Sequence, residues 1–455
     1  MNDLILRVRI DALKRDLEWA DEAKDWLRKK LSDPLPDEFT DELWGTLAAT
    51  IRKQATSQIK ALNKICEDVK KEASNGPEAE KRALNQAWHS YAKIYRESRR
   101  VFGEYLDFIG GLAIRYEELD ERICCIADEL IKRCSKDSIG TPWHSLSVLA
   151  TQESFSKTLA RIIRLRFPES TIWALPFAAH EYGHVVAAEV GEVEQFIEDK
   201  VEHLIEQNEE YQAKTEKQAK DRIRRRIKNH INVLFADAFA TYTMGPAYAC
   251  AAIFLRFDPV NADTDTDELP SDARRAFIVF ETLKRMDQEG GGSELKPLYT
   301  PVIGELERYW KEMLDRARSA GMLNNPAQAG QINEQQLFEG IWETLKPPAL
   351  LKEAQYPTRS NKEGWAKVLE WEEKLAKRPV KGEITILPSP TDNLRDVLNA
   401  AWLCRLYPEN INDHEKIRII TDNAIALCEA IKNLQRNTGG TPQPPKMPGK
   451  RAPRP

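Results

Sequence analysis

Along most of the chain, apolar residues return every three or four positions among charges, which is the spacing of one buried face on an amphipathic helix. Leu4, Ile5, Val8, Ile10, Leu13, Leu17, Trp26 and Leu27 follow this rule and predict a helix or pair of helices over 2–31, broken by Pro34 and Pro36. A second helix is predicted over 40–71, closed by Asn75-Gly76-Pro77. Pro77 opens a long helical segment reaching toward Cys134, with Gly110-Gly111 as its expected break. Ser138 to Thr141 reads as a linker. Helices are expected at 154–164, from Pro176 to a stop at Gly191, and at 273–286, 302–320, 333–345, 361–376, 392–405 and 413–435. The one strand-like run is Glu383-Ile384-Thr385-Ile386-Leu387. The pattern predicts a mainly α, multi-helix protein with little β. It also suggests a helical N-terminal region (1–137), a central core (138–290), a helical C-terminal region (291–436) and a disordered, Pro-rich basic tail (437–455).

Two stretches depart from the amphipathic pattern. Between Phe177 and Ala188 the only residue of fixed charge is Glu181, in the run His180-Glu181-Tyr182-Gly183-His184. This is an H-E-x-x-H. With about 3.6 residues per turn, its two imidazoles stack on one helix face and can reach one ion. Glu181 lies beside them, where a general base would take a proton from water. Two His and a Glu in an otherwise uncharged helix are costly to bury unless something pairs with them.

The second stretch, Ile231 to Leu255, carries a single carboxylate, Asp237, which lies 53 residues after His184. Ala236 and Ala240 flank it and are small enough to let another helix approach closely. An Asp in mid-helix is a poor helix former, and burial adds a desolvation cost, so Asp237 is the candidate third metal ligand. His230 is the reserve, although at ~10 Å along the helix axis the two cannot share one ion without distortion. Tyr242 and Tyr248 are candidate donors to a developing oxyanion. Gly245-Pro246 ends this helix and begins another. Lone His89, and His144 beside Trp143, read as packing residues.

An H-E-x-x-H followed by an acidic residue in an A-D-x-x-A setting on a later helix resembles the zincin superfamily of zinc metallopeptidases, in its gluzincin-like arrangement. The resemblance covers about residues 170–255. It implies Zn²⁺ held by His180, His184 and Asp237, with Glu181 as general base in peptide hydrolysis. Many gluzincins carry a Glu ligand four residues before such an Asp, and Val233 stands there in this chain. Either Asp237 is the ligand, as an Asp is in aspzincins, or the third ligand lies elsewhere. The aspzincin G-T-x-D signature and the metzincin pattern are absent, so the resemblance stops at the superfamily.

Composition narrows the function classes. A near-balanced charge (67 basic and 72 acidic residues, net −5) argues against broad electrostatic binding to nucleic acid. The basic run Arg222-Ile-Arg-Arg-Arg-Ile-Lys228 reads as the solvated face of a helix joining the two uncharged stretches. Seven cysteines without a C-x-x-C pair read as buried free thiols of a reducing compartment. Charges fall too early for a signal peptide, and no run reads as a membrane span, so the expected place is the cytoplasm. The expected function is therefore a zinc-dependent peptidase acting on a protein or peptide substrate, with the N-terminal helices as a surface for a regulatory partner or self-association. Two other classes stand beside it. One is a helical scaffold with a structural or relic H-E-x-x-H. The other is a non-peptidase zinc hydrolase such as a deformylase, although the glutamine and cysteine motifs of those enzymes are not apparent.

Overall fold

The structure, a computed structural model, describes residues 6–7, 9–15, 17–18, 41–116, 122–139, 147–150, 155–156, 162–166, 171–290, 298–323, 334–346, 351, 354–356, 362–377, 388–389, 392–407, 409–411 and 413–439. These residues are mainly helical, as the apolar spacing predicts. The expected strand at 383–387, His144 and the tail lie outside the described residues. The chain divides into two compact units: 1–136 with 140–171 and 184–189, and 137–139 with 172–183 and 190–455.

In the first unit, α1 (Asp41–Ala73) and α2 (Pro77–Tyr116) pack together across a turn at Gly76, whose φ of 107° suits glycine. Leu62, Ile65 and Val69 of α1 meet Ala83, Ala87 and Tyr91 of α2, joined by Leu6, Ile10, Leu13 and Leu17 from the helical N-terminal residues. Gly110-Gly111 does not break α2. A Cβ on Gly111 would lie 2.2 Å from the Leu149 carbonyl oxygen, so the glycine permits a close approach of strand to helix. α2 is described through Tyr116, and α3 spans Ile123–Ile139.

Where a helix is expected at 154–164, the described residues are strand. β1 (Ser147–Ala150) runs parallel to the central β3 (Ile162–Arg166), and β2 (Phe155–Ser156) pairs antiparallel with β3 on its other edge. In the register Ser147 faces Ile163 and Phe155 also pairs with Ile163. Ile163 and Leu165 of β3 are buried two positions apart, the period of a strand rather than 3.6. Among the described residues, the β content is this small mixed sheet.

The second unit is built around helices buried on most sides. α4 (Phe177–Glu189), shared between the units, is followed by α5 (Gly191–Gln207), the short α6 (Glu209–Ala213) and α7 (Lys217–Met244). Gly191 opens α5 instead of stopping α4; the break is the extended Val190, with φ −92° and ψ 106°. The connection between the two uncharged stretches is thus several helices rather than one. After α7 come α8 (Pro246–Ala251), a π-helical turn (Ala252–Arg256), α9 (Asp272–Gly290), α10 (Thr300–Ser319) and α11 (Glu334–Leu345). α12 (Lys362–Leu375), α13 (Leu394–Leu406) and α14 (His414–Gly439) complete it. α13 is buried from Leu394 to Cys404 and packs against α8, α12 and α14. Among the described residues no helix is long and apolar enough to cross a membrane.

Candidate active site

Three backbone turns ending at Phe177, Ala178 and Ala179 lead into α4. The helix is apolar on nearly every side, and Phe177 to Gly183 are all buried. His180 and Glu181 lie inside this buried part, at 4% and 5% exposure. His184, one turn further along, is half-buried, and the division between the two units falls between Gly183 and His184.

α7 reaches α4 through glycine. A Cβ added to Gly183 would sit 3.0 Å from Cα and 3.2 Å from Cβ of Ala236, so the pairing of glycine with alanine sets how closely these helices approach. The next residue on α7, Asp237, is thereby brought to His180. The carboxylate Oδ1 is 2.9 Å from the Nδ1 of His180. Sequence reasoning placed these two residues together, and the structure does so.

The manner of their meeting differs from the expectation. Arg275, in the first turn of α9, donates from Nε to Asp237 Oδ2 at 2.8 Å and from Nη2 to Oδ1 at 3.0 Å. Tyr248 of α8 donates its hydroxyl to Oδ1 at 2.5 Å, and that hydroxyl also lies 3.1 Å from His180 Nδ1. Both Asp237 oxygens are therefore engaged by protein donors, and the side chain is fully buried. Burial alone would raise the Asp237 pKa, but the adjacent Arg275 and His180 outweigh it and hold the carboxyl well below the usual carboxylate range. Burial and the Asp237 charge push the Tyr248 hydroxyl up, so it remains a donor. With the carboxylate 2.9 Å away, Nδ1 is the His180 nitrogen placed to donate to Asp237, and Nε2 lies on the far side of the ring.

The surrounding contacts hold this arrangement. The rings of Tyr248 and His180 are nearly parallel at 6.1 Å, and Phe177 meets Tyr248 edge-on at 6.0 Å. The Arg256 guanidinium lies 3.8 Å from the centre of the Phe177 ring. At the end of α7, Gly245 takes φ +63°, and Asn399 of α13 bridges the corner. Asn399 accepts from the Ala247 N–H at 2.8 Å and donates to the Met244 carbonyl at 2.9 Å. This corner sets where Tyr248 starts.

The structure gives the remaining candidates other neighbours. His230 is buried with Nε2 2.7 Å from the Thr266 carbonyl, and burial lowers its pKa. Tyr242 packs edge-on against Trp342 at 5.8 Å. His89, which the sequence marks as a packing residue, is exposed instead. The basic run on α7 pairs with acidic neighbours: Arg222 with Asp267, Arg224 with Glu198 and Glu202, Arg226 with Glu210, and Lys228 with Glu198. The partner of Asp237 that sequence reasoning missed is Arg275. Its signal was present in Arg274-Arg275 placed directly before the apolar run Ala276-Phe-Ile-Val-Phe280.

Among the described residues, no group of three or more His, Cys, Asp or Glu side chains is arranged to hold a metal ion. The described donors that suit zinc are the His180 Nε2 and the His184 imidazole, one turn apart. Asp237 stands across the His180 ring from Nε2, with both oxygens already accepting from Arg275. No family model, curated protein or solved structure matches the chain.

Proposed function

We propose that the chain is a zinc-dependent peptidase in which His180 and His184 hold the metal and Glu181 is the general base. The observation that carries this reading is the His180–Asp237 contact. A carboxylate on Nδ1 selects the tautomer and ring orientation in which Nε2 is the ligating atom, the usual companion of a zinc-binding histidine. Asp237 thus supports a ligand instead of serving as one. Zinc bound there would supply a Lewis acid for the peptide carbonyl and make water acidic enough to be deprotonated near neutrality. Glu181, next to His180 in a buried helix, would take the proton from that water and pass it to the leaving amine. The substrate is a protein or peptide.

A second reading has an observation of its own. The Arg275–Asp237 pair neutralises the buried carboxylate without a metal, as expected if the helices form a scaffold and the H-E-x-x-H is structural.

Zinc analysis of the purified full chain, alongside peptide hydrolysis, separates the two. The peptidase reading expects about one zinc per chain in the wild type and its loss in His184→Ala. It expects Asp237→Asn to retain zinc at roughly 10- to 100-fold lower affinity. Glu181→Gln should keep the metal and lose hydrolysis. A folded wild type that holds no zinc and cannot be loaded would establish the scaffold reading. Complete loss of zinc in a folded Asp237→Asn protein would return Asp237 to the ligand set.

A further inference from the structure

We infer that Arg275 and Tyr248 are positioning residues that act on His180 through Asp237, and that they act in opposite directions. The importance of this for metal binding rests on the peptidase reading, but the geometry itself does not.

All three guanidinium nitrogens of Arg275 are committed. Nε and Nη2 take the two oxygens of Asp237, and Nη1 lies 3.5 Å from Asp272 Oδ1. The guanidinium carbon also sits 4.8 Å from the centre of the Phe257 ring. A planar fork held by two parallel hydrogen bonds, flanked by a second carboxylate and resting on a ring, restrains the carboxylate bound to it. Oδ1 is therefore held facing His180. Tyr248 does the reverse, because its hydroxyl donates to that same oxygen and lies 3.1 Å from Nδ1, competing for the bond between His180 and Asp237. One residue aims the carboxylate, and the other weakens its hold on the imidazole.

The prediction is one of opposite signs. In zinc-free, ¹⁵N-labelled protein, the His180 Nδ1–H resonance is identified by its disappearance in His180→Gln. Arg275→Lys keeps a charge but not the fork, so the resonance should move upfield and exchange faster with water. Tyr248→Phe keeps the ring and removes the competing hydroxyl, so the resonance should move downfield. Zinc affinity should fall roughly 10- to 100-fold in Arg275→Lys. Loss of stability alone would not produce shifts of opposite sign. An unchanged resonance in folded Arg275→Lys overturns the inference. If that variant does not fold, Tyr248→Phe decides, since a downfield shift supports the inference and an unmoved resonance refutes it. A wild type that binds no zinc would overturn the peptidase reading, while the zinc-free spectra would still decide this one.

Discussion

The two halves of α7 handle charge in contrasting ways. Its first half carries Arg222, Arg224, Arg226 and Lys228, each paired with an acidic residue at the surface, with side chains 32% to 73% exposed. Its second half carries only Asp237, fully buried and gripped by Arg275. Water screens the surface pairs and would replace either partner at little cost, so they give the helix a solvated face and little else. Nothing can replace Arg275. Desolvation makes the buried pair expensive to form and more expensive to break, and the low local dielectric makes its geometry matter. For α7, the number of charges therefore says less than their depth.

The largest test of this contrast is Arg275→Met, which strands the Asp237 charge. It should destabilise the protein by about 3–5 kcal/mol in urea unfolding. A loss comparable to that of a surface pair would erase the distinction.

A buried carboxylate without a bidentate partner sharpens the comparison. Asp396 on α13 accepts from the Tyr356 hydroxyl at 2.6 Å, and burial pushes its pKa up to about 6 from the ordinary 3.8. A carboxyl whose folded value is raised stabilises the protein below its unfolded pKa, and that stability is lost as pH rises through about 6. The loss amounts to ~3 kcal/mol at the most. The wild type should therefore lose stability relative to Asp396→Asn between about pH 4 and about 6, as read from paired urea titrations. Parallel curves would show that Asp396 is as well compensated as Asp237.

The smallest effect belongs to the surface. Arg226→Ala, which removes the 2.9 Å contact to Glu210, should cost about 0–1 kcal/mol and less at high salt. A larger loss that persisted at high salt would mean that the first half of α7 is held by more than screened pairs.

The sequence alone determined the helical architecture, because an apolar residue every three or four positions can be buried only on a helix face. It also marked His180, Glu181, His184 and Asp237, because ionisable side chains in uncharged stretches have to be paired. Tertiary structure decided the rest. Gly110-Gly111 looks like a break, but Gly111 is where β1 approaches α2, and only a neighbour's backbone makes that distinction. The short strands at 147–166 contain too few residues for their period of two to stand out from a helical reading. The role of Asp237 was equally closed to local reasoning. A buried carboxylate has to find donors, and Arg275, which grips this one, stands 38 residues further along the chain on another helix.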